Sequence, residues 1–269
     1  MEQTNDFVAA RDAGAALAEI RNVGGTPIAI VPDGYRVEQL EHLLGVPARH
    51  RGSAELLDAA SFIAYVNKFK DAGGTTRIYF RTDPKPQFVA VLNDSTADAP
   101  AWADFRATYN APLSKEWVTW TGSDQKPMSQ DEFALFIERN LPDVNVPPAA
   151  EMLEIATTLQ AKKGVEFASG TRLVNGQVQF VFKETIQARA GEKGQFNVPE
   201  QIEIVIPVFE GSAVGDRLIA KFRYRIQDAN LRMWYELDRP HKVLDAAVGD
   251  LRKEIEEGTG LVAFKGVPA

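Results

Sequence analysis

Residues 201–237 read QIEIVIPVFEGSAVGDRLIAKFRYRIQDANLRMWYEL, and this stretch decides the fold class. Three runs within it alternate apolar and polar residues with period two: 201–209, 217–226 and 231–237. Such alternation is typical of strands that bury one face, and the connections Glu210-Gly211-Ser212 and Asp228-Ala229-Asn230 have the composition of turns. Because short turns join antiparallel neighbours, we expect an antiparallel sheet here.

A hairpin precedes these strands and a helix follows them. Asn175-Gly176 lies between the apolar runs 171–174 and 177–182, and this dipeptide favours a type I′ turn because both of its residues need positive φ. Apolar residues at helical spacing predict a helix over 243–257, which Gly258 would cap. The other elements expected in this half are a helix over 149–162, closed by Lys162-Lys163-Gly164, and an edge strand over 261–264.

The first half of the chain mixes helices and strands. Ser129 and Glu132 have the spacing of a capping box, which predicts a helix that turns Phe133, Phe136 and Ile137 inward. The runs 76–81 and 87–92 predict two strands of a hairpin. Periodicity predicts further helices over 7–23, 37–44, 53–70 with Ser53 as N-cap, and 100–109, and further strands over 27–32 and 116–121.

Three prolines within residues 141–148 mark the expected boundary between the two halves. We therefore expect an α+β protein with a mixed N-terminal half, residues 1–145, packed on a C-terminal helix-plus-antiparallel-sheet half, residues 146–269. Six aromatic residues are concentrated in a short part of the first half, and we expect them to form a core and not a base-stacking surface: Trp102, Phe105, Trp117, Trp120, Phe133 and Phe136.

The composition excludes several classes of function. The chain has 269 residues, of which 45% are apolar and none is cysteine, so disulfide scaffolds, cysteine nucleophiles, iron–sulfur clusters and cysteine zinc sites are excluded. The net charge of −7 disfavours a surface that attracts nucleic acid over its whole extent. No apolar run approaches the roughly 20 residues that a bilayer needs, and the first residues are polar. We expect a cytoplasmic protein with no membrane contact.

Motifs for catalysis or metal binding are weak or missing in the sequence. There is no glycine-rich phosphate loop and no Gly-x-Ser-x-Gly elbow, and His42, His50 and His241 have no metal-ligand spacing. Asp83-Pro84-Lys85 matches the acidic-x-Lys element of metal-dependent nucleases, with Asp94 beyond the next strand, but Pro84 cannot donate in a strand. We expect no catalytic residue, no metal and no cofactor, and keep Asp83 and Asp94 as weak metal candidates.

A stripe of cations on one predicted strand is the most suggestive feature. Lys221, Arg223 and Arg225 share one face of the strand, opposite Phe222, Tyr224 and Ile226. With Arg217 and with Arg232 on the next strand, they form a candidate anion- or partner-binding surface. The alternative is a solvated face whose cations pair with Glu203, Glu236 or Asp238. Residues from Glu151 onward are almost neutral, so the first half carries most of the negative charge.

Several segments together resemble the YfdQ-like family of uncharacterised phage and prophage proteins. The resemblance covers roughly residues 10 to 265 and lies in FVAVLND at 88–94, the tryptophans of 102–120, FALFIERN at 133–140, VEF at 165–167, RLVNG at 172–176, IPVFEG at 206–211 and RYR at 223–225. After the central strand, similar proteins tend to have an acidic, an aromatic and a histidine residue, where this chain has Asn93-Asp94-Ser95. The resemblance implies a phage accessory protein of the bacterial cytoplasm and supplies no catalytic residue.

Three functions follow as hypotheses. The first is a non-enzymatic protein that self-associates as a homo-oligomer or binds a host protein such as a defence component, because the acidic first half could face a basic partner. The second is a nucleic-acid-binding or processing protein of phage recombination or replication that uses the Arg223 and Arg225 stripe. The third is a binder of a small phosphorylated signal, held by the same cations.

Overall fold

The computed structural model describes residues 20–23, 26–29, 43–172, 178–190, 197–227 and 230–268. The chain divides into two compact units, Met1–Arg51 and Gly52–Ala269. The first unit contains an antiparallel hairpin of β1 (Ile20–Val23) and β2 (Thr26–Ala29). All elements described below belong to the second unit.

The second unit begins with alternating short strands and helices and ends with longer strands and a long helix. Its first elements are β3 (Gly52–Leu56), α1 (Ala59–Phe69), β4 (Arg77–Arg81), β5 (Gln87–Val91), β6 (Phe105–Asn110), α2 (Lys115–Gly122), β7 (Met128–Ser129), α3 (Gln130–Arg139) and β8 (Val144–Val146). They are followed by α4 (Ala149–Thr158), β9 (Gln160–Arg172), β10 (Val178–Arg189), β11 (Gln201–Ile206), β12 (Asp216–Gln227), β13 (Asn230–Leu237), α5 (Pro240–Thr259) and β14 (Ala263–Lys265). This mixture confirms the expected α+β class.

Sheet one is a mixed five-stranded sheet in the order β14-β4-β5-β6-β3. The three central strands are antiparallel, whereas both outer strands run parallel to their neighbours. One face buries alternate residues of the central strands, among them Ile78, Phe88 and Ala107, and α1 covers it with Phe62 and Val66. Helix α1 therefore separates this face from solvent.

Sheet two is an antiparallel five-stranded sheet in the order β7-β13-β12-β11-β8. Its inner face carries a continuous set of buried side chains: Ile202, Ile204, Ile206, Leu218, Ala220, Phe222, Met233, Tyr235 and Leu237. These side chains and those beneath sheet one belong to one hydrophobic cluster. Helix α5 contacts α1, β12 and β14, so it joins the two sheets.

Most of the strands and the capping box were predicted correctly. Ser129 caps α3 through the Glu132 N–H, and the Glu132 carboxylate accepts from the Ser129 N–H in return. The hairpin of β4 and β5, the three strands of 201–237 and the edge strand near residue 263 are confirmed. Strands β9 and β10 confirm the hairpin around Asn175-Gly176, with 13 and 12 residues, while the turn itself lies outside the described residues.

Helix and strand were exchanged in two predicted segments. Residues 105–110 form strand β6, not part of a helix over 100–109, because Phe105, Ala107 and Tyr109 are buried in alternation and β6 pairs with β5. Residues 115–122 form helix α2, not a strand over 116–121, and Trp117 and Trp120 are both buried on one side of it. The four-residue spacing of Phe105 and Tyr109 fits either period, and pairing with β5 selects the strand. The three-residue spacing of Trp117 and Trp120 fits one side of a helix and not one face of a strand.

Two predicted helix limits were also wrong. Ser53 is not an N-cap, because residues 52–56 form β3 beside β6, and Asp58 caps α1 by accepting from the Ser61 N–H. Helix α4 ends at Thr158, so Lys162-Lys163-Gly164 lies in β9 instead of closing the helix. In both cases strand pairing interrupts a helical pattern that the sequence would continue.

Gly258 lies inside α5 and does not cap it. A Cβ atom at Gly258 would lie 2.9 Å from the Ile63 side chain of α1, so this glycine permits close packing of the two helices. The cap is Gly260, which has φ of +69°. Lys70 Nζ donates to the Thr259 carbonyl at 2.7 Å, which satisfies an acceptor at the same helix end.

The predictions for the start of the chain are tested only in part. Residues 20–23 form strand β1, so the helix expected over 7–23 is wrong there, and residues 7–19 lie outside the described residues. Strand β2 confirms part of the strand expected over 27–32. Most of the short helix expected over 37–44, with His42, also lies outside the described residues.

The boundary expected near residue 145 falls inside the second unit. Sheet two takes its outer strand β7 from before that point and its three central strands from after it, and its other outer strand, β8, spans it. No helix among the described residues is both long enough and apolar enough to cross a bilayer.

Candidate functional site

The predicted cation stripe lies on the exposed face of sheet two. Arg217, Lys221, Arg223 and Arg225 are exposed along β12, whereas the residues that alternate with them are buried or half-buried on the inner face. Arg232 of β13 is half-buried and lies directly opposite Arg225 in the strand register. The structure thus brings the predicted candidates onto one surface, which we call the basic face.

Two of these arginines pair with glutamates on neighbouring strands. Arg217 of β12 binds Glu203 of β11, and Glu203 also accepts from Asn145 Nδ2 at 2.8 Å. Arg223 Nε lies 3.0 Å from Glu236 Oε2 of β13. The hydrogen bond from Asn145, followed by the Arg217 contact, lowers the pKa of Glu203, and the hydrogen bond from Arg223 lowers the pKa of Glu236. This part of the stripe fits the salt-bridged alternative.

The other end of the basic face is arranged differently. The Arg225 guanidinium lies over the Trp234 ring, with Cζ 5.3 Å from the ring centroid, and donates to Gln227 Oε1 at 2.9 Å. Within the described part of the chain, no carboxylate lies within 4 Å of the charged nitrogens of Lys221, Arg225 or Arg232. Asp238, the third predicted partner, pairs with Arg239 instead.

Helix α3 brings one more carboxylate into the neighbourhood of Arg232. The field of Arg232 contributes to the lowered pKa of Glu132, but the hydrogen bonds from Ser129 contribute more. Glu132 is therefore committed to the capping box. A hollow of about 440 Å³ adjoins the basic face, and Lys221, Arg223 and Glu200 contribute to its lining.

A second surface, which the sequence did not predict, is a cleft of about 610 Å³ at the N-terminus of α1. Its walls are the start of α1, the segment 209–216 and one side of α5, with Tyr109 of β6 also lining it. Carboxylates from all three walls line the cleft: Asp58, Glu210, Asp216, Asp250 and Glu254. We call this cavity the acidic cleft.

The carboxylates of the acidic cleft differ in their surroundings. Asp58 accepts from the Ser61 N–H at 2.7 Å, and hydrogen bonds from Ser61 lower its pKa. Burial and, to a lesser extent, the charge of Asp250 raise the pKa of Asp216 despite a hydrogen bond from the Val208 backbone. Lys253 Nζ lies 2.9 Å from Asp250 Oδ1. Among the described residues, Asp250 is the one carboxylate of the five with a lysine or arginine nitrogen within 4 Å, so the cleft keeps a strongly negative lining.

The acidic cleft also has apolar residues. Leu57 is 81% exposed and Val214 is 74% exposed, and both line the cleft. The helix predicted over 53–70 would include Leu57, but this residue lies between β3 and α1. The glycine, serine and acidic residues of 210–216 read as an ordinary turn, so their convergence with α5 had no signal in the sequence.

The weak metal candidates do not lie together. Asp83 is exposed in the turn that enters β5, whereas Asp94 lies beyond the other end of β5 and accepts from the Tyr79 hydroxyl at 2.9 Å. Within the described ranges, no group of three or more histidine, aspartate or glutamate side chains is placed to hold a metal ion. His50 and His241 are exposed in separate parts of the chain.

The predicted aromatic core is largely present. Phe105, Trp117, Trp120 and Phe133 are buried and Phe136 packs against them, while Trp102 is 79% exposed. Trp120 Nε1 donates to Asp143 Oδ2 at 2.7 Å, so its indole group has a polar partner. These rings therefore support the core, and the ring that lies on the basic face is Trp234.

The comparisons with known proteins give a family match. The model of the family described as "Uncharacterized conserved protein (DUF2303)" matches residues 1–268. No curated protein and no solved structure is significantly similar to the chain.

Proposed function

The chain belongs to the DUF2303 family of uncharacterised conserved proteins, and we propose that it is a non-enzymatic binding protein that holds a basic segment of a partner protein in the acidic cleft. The observation that carries the proposal is the convergence of five carboxylates from three walls on one open cavity of about 610 Å³. A cavity of this size accepts several side chains of an extended peptide.

Lysine and arginine side chains match this cavity in two ways. Their aliphatic stems can lie against Leu57 and Val214, while their charged heads reach the carboxylates. The opposite charges of the cleft and a basic segment also accelerate their encounter, and the negative charge of the cleft disfavours acidic partners. Asp216 is half-buried, and a cation beside it would favour the ionised form that its partial burial disfavours.

The biological setting is part of the same proposal. The resemblance to phage and prophage proteins supports an accessory protein of the bacterial cytoplasm whose partner is a host protein, such as a defence component that normally holds nucleic acid through basic residues. Self-association as a homo-oligomer is compatible with this function, since both five-stranded sheets have outer strands that can pair further.

The test uses a fluorescein-labelled peptide of alternating lysine and serine and a glutamate–serine counterpart, with fluorescence anisotropy as the readout. We expect the basic peptide to bind at low salt, to weaken as salt rises, and the acidic peptide not to bind. Asp250→Asn combined with Glu254→Gln should lower the affinity about fivefold, near the middle of the range of about two- to thirtyfold that two exposed ion pairs of about 0.2–1 kcal/mol each would give.

The matched control removes the same charge from the same helix. Asp245 and Glu257 are exposed on α5 and do not line the acidic cleft, so Asp245→Asn combined with Glu257→Gln should leave the affinity within about twofold. Equal losses in the two double variants would show that only net charge matters and would refute the proposal. Failure of the basic peptide to bind at low salt would refute it as well.

A second candidate function is anion binding at the basic face. The observation that favours it is the opposition of Arg225 and Arg232 across two strands without a carboxylate within 4 Å among the described residues. Nucleic acid and a small phosphorylated signal are the two ligands that the sequence suggested for these cations.

A further inference from the structure

We infer that the end of the basic face formed by Arg225, Arg232 and Trp234 binds single-stranded nucleic acid, with the two arginines on the phosphate backbone and a base against the part of the indole that Arg225 leaves exposed. This inference specifies the ligand of the second candidate function, and it rests on anion binding at the basic face. It does not depend on the acidic cleft.

The strand register places two positive charges opposite each other. Arg225 of β12 and Arg232 of β13 are direct cross-strand partners, and like charges in this position destabilise a sheet. Alternation along both strands places the two side chains on the outer face. An anion bound between them would convert this repulsion into two charge-assisted contacts.

Arg225 is already held in a defined position. Its guanidinium lies over the Trp234 ring and donates to Gln227, so less side-chain freedom is lost when a ligand binds. By contrast, Arg217 and Arg223 are held by Glu203 and Glu236. Among the described residues, the arginines of this face without a carboxylate within 4 Å are therefore Arg225 and Arg232, at one end, whereas Lys221 lies opposite Glu236 in the strand register.

The half-buried indole of Trp234 favours a single strand over a duplex as the ligand. Trp234 is half-buried on the outer face of β13, where it lies opposite Arg223 in the strand register. Its Nε1 donates to Glu236 Oε1 at 3.3 Å. In a duplex the bases are stacked inside, so an aromatic ring on a sheet face would have nothing to contact. In a single strand the bases are accessible, and sheets that bind such strands stack them on aromatic side chains between cations.

The experiment measures the anisotropy of a labelled twelve-nucleotide oligothymidylate, with a duplex of the same length and a glutamate-rich peptide as competitors. We expect the protein to bind the single strand, and the logarithm of the binding constant to fall linearly as the logarithm of the salt concentration rises. The charge variants Arg225→Gln and Arg232→Gln should each reduce the affinity about five- to tenfold. Trp234→Leu should reduce it by a similar factor, whereas Trp234→Phe should keep most of it.

Lys242→Gln is the matched control, because it removes the same charge from an exposed position at the start of α5, outside the basic face. It should change the affinity less than twofold, and circular dichroism should show that every variant is folded. The inference is overturned if the oligonucleotide does not bind at low salt, if Lys242→Gln weakens binding as much as Arg225→Gln, or if the duplex or the acidic peptide displaces the single strand at equal concentration.

Discussion

The buried hydroxyl of Tyr235 allows a sharp test of how sheet two is attached to helix α2. Tyr235 is fully buried in β13, and its hydroxyl donates to the Trp120 carbonyl at 2.6 Å. That carbonyl belongs to the last turn of α2, where helix carbonyls lack an intrahelical partner. Tyr235→Phe removes the donor and leaves a buried acceptor unsatisfied.

The expected cost of Tyr235→Phe is about 1–3 kcal/mol of unfolding free energy, the usual penalty for a buried polar group without a partner. The rings that contact Tyr235, Trp120 and Phe136, are unaffected because the phenyl group stays in place. For a unit of this size, each kcal/mol corresponds to about 2–4 °C in melting temperature. Urea unfolding followed by tryptophan fluorescence should show a lower midpoint at an unchanged m-value.

The matched control is Tyr79→Phe. The Tyr79 hydroxyl donates to Asp94 at 2.9 Å, but both residues are only half-buried, so water can replace the lost hydroxyl. Its cost should be about 0.5–1 kcal/mol, below the usual value for a hydrogen bond to a carboxylate, because water can hydrogen-bond Asp94 in place of the hydroxyl. Equal midpoints for the wild type and Tyr235→Phe, or a larger effect of Tyr79→Phe, would refute this assignment of the link.

Three further predictions concern single positions. Ser129→Ala should lower the unfolding free energy by about 1 kcal/mol through loss of the capping box, and Ser129→Asp should restore most of it in a thermal melt. Gly260→Ala should destabilise by about 1 kcal/mol because its φ is +69°, whereas Gly249→Ala, in open space inside α5, should stabilise by about 0.5–1 kcal/mol. Partial burial raises the pKa of Asp216, so ionisation of this carboxyl lowers the stability of the folded protein as pH rises above the ordinary carboxyl range. Asp216→Asn should therefore be more stable than the wild type at pH 7 but not at pH 3. Urea unfolding at both pH values checks this.

Local signals predicted those parts of the fold that do not depend on distant neighbours. The capping box of Ser129 and the alternation of β11 to β13 each involve a complete motif within a few residues, and both are present. The helix prediction over 100–109 failed because the four-residue spacing of Phe105 and Tyr109 fits both periods. The strand prediction over 116–121 failed although the three-residue spacing of Trp117 and Trp120 fits a helix alone. Only pairing of β6 with β5, which lies elsewhere in the sequence, selects the strand.

The basic face and the acidic cleft likewise differ in how far a local sequence pattern predicts them. Alternation along one strand was enough to place Lys221, Arg223 and Arg225 on an exposed face, and the structure adds which arginines are paired. The acidic cleft needs Asp58 and Glu254 to meet across nearly two hundred residues of chain, which no local pattern encodes. Long-range contacts are the part of a structure that single-sequence reasoning cannot supply.

The order of strands in sheet two bears on how the protein can be divided for laboratory work. Strands β7 and β8 shield the two sides of the β11–β13 group, yet they precede it by more than fifty residues in the chain. A truncated polypeptide starting after Val146 would leave β13 and β11 with bare hydrogen-bonding edges and an uncovered row of isoleucines. Such a piece should precipitate on expression, and shortened versions of the protein should instead retain everything from Gly52 onward.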